Sequence, residues 1–429
     1  MHYSIFTIKN LFYTMDYYSI ATVLIVLSAI FGYINVRFLK LPITIGLMLI
    51  TIVFTLILVI ICQFDDSLLL REKAFIMQID FETVLLDIML SFLLFAGALH
   101  TNFDQLKIQR GPILAFATFG VITSTFLVGI FMYYLLQLVG LEISFINCLL
   151  FGALISPTDP IAVLGILKKA GAPKKLETKI VGESLFNDGV GVVVFLTIFA
   201  VAAKPNAAIE FSEIATLFGQ EVFGGIILGG LLGWVTYRLM RSIDNYEVEV
   251  ILTISAVMGG TMLAHQLHLS APLAMVTAGL IVGNDTVRDS VMSEITETYV
   301  DKFWELIDVL LNTVLFIMIG MEMLVLTFKE NYIYAGLLAI PLILMCRYIS
   351  LWLPVKFFSK RLDFVPKTNL IMTWGGLRGG ISIALALSLT QAMDRELFLV
   401  ITYIVVVVSI VGQGLTVEPI IKRLTKKAN

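Results

Sequence analysis

Along most of the chain, predominantly apolar runs of about 20 residues follow one another, and charges, prolines and glycines gather between them. A run of that length matches the ~30 Å hydrocarbon core of a bilayer at about 1.5 Å per helical residue. Lipid offers backbone N–H and C=O groups no partner, so a spanning segment must close its hydrogen bonds within a helix or a closed barrel. Runs without residue-by-residue alternation exclude the barrel. The pattern predicts an all-α integral membrane protein.

Bounded in this way, the runs predict 13 spans near 17–37, 41–62, 82–100, 111–139, 145–168, 176–202, 211–237, 247–267, 270–283, 302–327, 333–355, 368–391 and 397–420. The short ninth run and the boundary at His268-Leu269-Ser270 leave 12 as the alternative. Composition agrees, with 59% hydrophobic and 14% charged residues against roughly 25% charged in a soluble domain. A net charge of −3 and scattered basic residues exclude a nucleic-acid partner. Cys62, Cys148 and Cys346 lie in apolar stretches without pairing or CxxC spacing, so no redox chemistry is expected. No metal-ligand, nucleophile–base or phosphate-loop pattern suggests an enzyme, and no cofactor is implied.

Lys and Arg orient the chain. With the N-terminus outside, 21 fall on inside segments, Lys179 among them, and 6 on outside segments, which puts the C-terminus in the cytoplasm. Of the 29, only Arg347 and Arg378 remain at membrane depth. An odd span count lets two six-helix units lie in opposite orientations about one linker helix: residues 1–209, a glycine-rich linker over 210–242, and 243–429. Transporters place their substrate at mid-membrane on interrupted helices of such repeats. The corresponding fifth and twelfth spans are the interrupted ones, by Ser156-Pro157-Thr158-Asp159-Pro160 and by Gly375-Gly376-Leu377-Arg378-Gly379-Gly380. No soluble regulatory domain is expected.

A charge at the centre of a membrane helix costs about 2.5–3.5 kcal/mol even on lenient scales, so the few present are functional candidates. Asp159, Glu183, Asp188, Arg347 and Arg378 lie well inside spans, whereas Asp87, Asp308 and Glu322 lie near predicted ends and His265 and His268 flank an outer turn. In the sixth span Ser184 and Asp188 are four residues apart, as are Glu183 and Asn187, so the two pairs occupy neighbouring helix faces. One face offers a hard monovalent cation oxygen ligands, from the Asp188 carboxylate, the Ser184 hydroxyl and the Thr158 hydroxyl or nearby freed carbonyls. The other turns Glu183 into protein, where Arg347 is the natural bidentate partner. Where two broken helices cross, like dipole ends meet; Asp159 and Arg378 have the signs needed at the N-terminal and C-terminal ends.

These motifs, with Leu41-Pro42 and Leu310–Gly320, resemble the monovalent cation/proton antiporters of the NhaP and sodium/hydrogen exchanger type over nearly the whole chain. The resemblance implies a homodimer in a prokaryotic plasma membrane, with spans 4–6 and 11–13 forming a core that moves against a dimerisation domain of spans 1–3 and 8–10. It implies that Asp188 binds Na⁺, Li⁺ or H⁺ by turns, with Ser184 and Thr158 as ligands and Asp159 in the same cation- and proton-binding set. Glu183 and Arg347 resemble the family's buried ion pair, and Asp159 and Arg378 its helix-crossing charges. Asn187 before Asp188 implies electroneutral exchange. A K⁺/H⁺ antiporter of the same fold, or a cation channel or ion sensor, remains the alternative.

Overall fold

The structure, a computed structural model, describes residues 17–62, 81, 83–101, 103–159, 167, 171–204, 211–284, 294–323, 326–360, 362 and 364–425. Every regular element among them is helical. The main helices are α1 (Tyr17–Ile34), α2 (Ile43–Cys62), α3 (Leu90–Leu99), α4 (Phe103–Ala115), α5 (Val121–Leu138), α6 (Phe145–Ile155), α7 (Lys174–Ala202) and α8 (Phe211–Met240). They continue as α9 (Tyr246–Gln266), α10 (Ala271–Val282), α11 (Glu294–Glu322), α12 (Glu330–Phe358), α13 (Thr368–Gly375), α14 (Gly380–Leu387), α15 (Arg395–Val407) and α16 (Gly414–Thr425).

Eight helices among the described residues are long and apolar enough to cross a bilayer, and a ninth span results if α13 and α14, bent by 53° at their break, count as one. Four shorter apolar helices accompany them: Ile43–Leu58, Thr83–Leu99, Phe145–Ile155 and Ala271–Val282. Several starts are set by a side chain that takes an orphan amide. Ser144 Oγ accepts from Asn147 N at 3.4 Å, Asn245 Oδ1 from Val248 N at 3.1 Å and Ser270 Oγ from Leu273 N at 3.4 Å.

Two kinds of packing divide the molecule. Along α8, Gly225, Gly229 and Gly233 recur every fourth residue and therefore share one face. A Cβ on any of them would press on the backbone of Ser270, Ala274 or Ala278, so α8 and α10 meet main chain to main chain. On its other side α10 meets α3 in the same manner, Gly279 against the Phe95 carbonyl and Gly283 against the Leu99 carbonyl. Trp304 closes this cluster, its ring centroid 4.7 Å from that of Phe95 and its indole N–H donating to Thr253 Oγ1 at 3.0 Å. The larger core, around α6, α7 and α12 to α15, encloses the two broken segments.

Two features here lie outside the sequence expectations. Lys179, assigned to an inside segment, is 1% exposed within α7, with its Nζ 4.1 Å from the Phe364 ring centroid. The Phe364 ring, beyond α12, covers its ammonium group, so among the described residues Lys179 joins Arg347 and Arg378 as a buried basic residue. Second, the chain between α15 and α16 runs through a wide π-type turn, Val408–Gln413. That turn serves the break at Gly376–Gly379, as described next.

Candidate functional site

Glu183, Ser184, Asn187 and Asp188 are all buried on α7. Facing them is the end of α6, where Pro157 cannot donate the next helical hydrogen bond and the chain leaves the helix through Thr158 and Asp159. The continuation of that span, residues 160–166 and 168–170, lies outside the described residues. The second break, after α13, crosses the first: the Asp159 N–H donates to the Leu377 carbonyl at 2.8 Å. Glycine is required at two positions of this crossing. A Cβ at Gly379 would overlap the Asp159 carboxylate, and one at Gly376 would overlap the Arg347 guanidinium.

Each break frees backbone groups that lipid cannot satisfy. Arg378 Nη1 donates to the Ser156 carbonyl and, at 2.8 Å, to the Pro157 carbonyl, which places its charge at the C-terminal end of α6. The Arg378 N–H donates to Ser409 Oγ at 3.0 Å, Ser409 donates to Gln413 Oε1 at 2.6 Å, and Gln413 Nε2 donates to the Trp374 carbonyl at 3.0 Å. The π-type turn thus supplies two bonds to one break, at Arg378 N–H and the Trp374 carbonyl, and a third within itself holds them in register. Asp159 sits where α14 begins, at the positive end of that half-helix.

Arg347 does more than pair with Glu183. Its Nη1 is 3.0 Å from Glu183 Oε1 and its Nη2 3.1 Å from Oε2, the bidentate arrangement expected from the sequence. Nη2 also donates to the Met372 carbonyl at 3.4 Å, in the last turn of α13. Each half-helix C-terminus at the crossing therefore has its own arginine: Arg378 for α6, Arg347 for α13. The sequence had assigned that task to Arg378 alone.

Thr158, Ser184 and Asn187 form one directed chain. The Thr158 N–H donates to Asn187 Oδ1 at 3.3 Å, which fixes the amide, and Asn187 Nδ2 donates to Thr158 Oγ1 at 2.9 Å. Ser184 Oγ donates to the Thr158 carbonyl at 2.6 Å, so the 2.8 Å contact between the two hydroxyls has Thr158 as donor. Both hydroxyl hydrogens point into protein. Each hydroxyl oxygen keeps a free lone pair, the form in which a cation uses it.

Thr158, Asp159 and Asp188 line one cavity of ≈ 50 Å³, enough for about three to five water-sized bodies at about 10–15 Å³ each. Leu90, Leu93, Leu94 and Gly97 of α3 form an apolar wall opposite. Ser184 stands one hydrogen bond behind Thr158 and is not part of the lining. Asn312 is a lining residue that sequence reasoning missed; its amide donates to the carbonyl and Oδ1 of Asp308, at 2.8 and 3.1 Å, and so brings Asp308 within one helical turn of the cavity. Asn312 lies within the Leu310–Gly320 motif, four positions after an acid, but nothing there marked it as a site residue. Glu322, at the end of α11, does not line the cavity, and the Asp87 side chain lies outside the described residues.

The family described as "Sodium/hydrogen exchanger, transmembrane" matches residues 25–423. The chain is similar to the Na⁺/H⁺ antiporter NhaP of Pseudomonas aeruginosa, with 48% identity over 93% of this chain and 95% of that protein. It is 32% identical to the Na⁺/H⁺ antiporter NhaH of Halobacillus aidingensis, over 90% of this chain and 93% of the other. The solved sodium proton antiporter MjNhaP1 of Methanocaldococcus jannaschii shares the fold, with a TM-score of 0.74 and 19% identity over 95% of this chain and 98% of that one.

Proposed function

Since the chain belongs to the sodium/hydrogen exchanger family and is a secondary active Na⁺/H⁺ antiporter of the membrane, we propose that a single carboxylate, Asp188, carries both of its ions by turns. The observation that carries this is that Asp188 shares its cavity with Thr158, whose hydroxyl hydrogen is spent on Ser184 and whose oxygen keeps a lone pair. A bound cation is held by Asp188 and Thr158, with the Ser184 oxygen next in line. A proton on Asp188 removes the negative charge and the cation leaves. The core crosses only when Asp188 is neutralised by one ion or the other, so transport of each requires return of the other and no ATP is consumed.

Glu183 and Arg347 are architecture in this scheme. They are committed to each other, Arg347 is committed also to α13, and neither lines the cavity. Asn187 carries no charge and spends its amide on Thr158, which supports electroneutral exchange of one H⁺ for one Na⁺ or Li⁺. Asp159 and Arg378 balance the helix ends, and Asp159 adds negative potential at the cavity.

The wider architecture we propose is 13 spans, with inverted repeats over 1–209 and 243–429 about a linker at 210–242. Each predicted run coincides with a described helix, the fifth through its first half alone, and the two broken segments cross. The N-terminus lies outside and the C-terminus in the cytoplasm, and spans 1–3 and 8–10 form the face of a homodimer. Purified protein in vesicles with a preset pH gradient tests the function: Na⁺ and Li⁺ collapse the gradient, K⁺ does so weakly, and a K⁺/valinomycin potential leaves the rate unchanged. Current carried without a counter-ion identifies a channel instead, and a potential-dependent rate contradicts the 1:1 stoichiometry.

A further inference from the structure

A second cavity, of ≈ 400 Å³, lies between Phe195 and Phe199 of α7 on one side and α8 with the α9–α10 turn on the other. Leu90 is part of its wall and part of the wall of the Asp188 cavity, so one leucine layer separates the two spaces. The titratable groups lining it are Glu221, His265 and His268. Glu221 is fixed in place by its backbone, whose carbonyl accepts from the Ser270 N–H at 3.3 Å. Its Oε2 is buried and has no hydrogen-bond partner among the described residues.

A buried carboxylate oxygen without a donor is costly unless something occupies its place. Chain neighbours do not, and the cavity beside it has room for water and an ion together. No group of three His, Cys, Asp or Glu among the described residues is close enough to hold a metal ion. Glu221 is the one carboxylate among the lining residues, and the cavity has room for an ion that keeps its water. A single charge in a low-dielectric cleft concentrates counter-ions at that spot.

We infer that this cavity is an outer antechamber in which the Glu221 carboxylate holds a hydrated alkali cation one leucine layer from Asp188. The inference rests on the proposed orientation and on Asp188 as the carrier. Glu221 loads the carrier from outside and takes no part in the exchange step. Na⁺ concentration at the antechamber is what the carboxylate changes, so its removal appears in half-saturation from one face.

Right-side-out and everted vesicles carrying the full chain test this by Na⁺ titration on each face. Glu221→Gln raises the half-saturating Na⁺ by about 3- to 10-fold from the outer face, the size expected of one carboxylate charge at close range in a partly wet site. The everted titration and the maximal rate stay as in the unaltered protein, and Glu221→Asp restores most of the outer affinity. An equal shift on both faces, no shift, or a loss of maximal rate and thermal stability at constant half-saturation overturns the antechamber. Asp188→Asn in the same vesicles tests the carrier separately: exchange persisting there contradicts Asp188 as carrier, whatever Glu221→Gln does.

Discussion

The crossing of α6 with the α13–α14 break and the seam of α8 with α10 both bring backbones into direct contact, by opposite means. At the seam, continuous helices satisfy their own hydrogen bonds and approach because Gly225, Gly229 and Gly233 have no side chains. At the crossing the helices are interrupted, their freed carbonyls are taken by Arg378 and Arg347, and Asp159 faces a helix start. The seam is steric and indifferent to charge. The crossing is electrostatic, so a change of charge on the neighbouring Asp188 is felt there first. A transporter needs both: a rigid contact to push against and a site whose stability depends on which ion it holds.

The largest effect that separates the two regions is expected at the carrier. Asp188→Asn keeps size and hydrogen-bonding capacity but can no longer exchange a proton for a cation, so Na⁺-driven proton flux in proteoliposomes falls to background. Thermal stability and the elution volume remain. Appreciable flux in this variant means that the crossing serves structure alone, like the seam.

Next in size is the buried pair. Removing one partner leaves an uncompensated charge and costs about 3–5 kcal/mol, whereas replacing both is often close to neutral. Glu183→Gln and Arg347→Leu each lower the thermal midpoint, and the double variant loses clearly less than the sum. Recovery stays incomplete because Arg347 also serves the Met372 carbonyl. Simple additivity of the two effects breaks the pairing. A selective loss of Na⁺ affinity in Glu183→Gln at unchanged stability makes Glu183 a ligand.

The seam gives the smallest of these effects. Gly229→Val forces α8 away from the Ala274 backbone and costs about 1–3 kcal/mol as overpacking. It lowers the thermal midpoint, with half-saturating Na⁺ unchanged in the protein that folds. A shift in Na⁺ affinity equal to that of a cavity variant such as Thr158→Ala erases the division between the two regions.

Much of the crossing was legible in the sequence because a charge or a proline inside an apolar run has no bland explanation. Asp159, Glu183, Asp188, Arg347, Arg378 and Pro157 all stood out on that ground. Ser409, Gln413 and Asn312 did not, since uncharged polar residues occur in membrane helices without special duty and the π-type turn that aims the first two leaves no mark on periodicity. Lys179 was misplaced for a different reason. A lysine near a helix start ordinarily snorkels to water, and only the tertiary position of Phe364 reveals that this one does not. The second role of Arg347 was hidden because it depends on where Gly376 lets the guanidinium lie.

The central claim is that one carboxylate exchanges one proton for one cation, and the most direct test counts protons as Na⁺ binds. Calorimetric titration of the detergent-purified protein, at a pH where Asp188 is protonated and in buffers of different ionisation enthalpy, gives the number released. One proton per Na⁺ bound is expected, with neither heat nor release in Asp188→Asn. Na⁺ binding without proton release, or release that survives in Asp188→Asn, contradicts a shared carrier site.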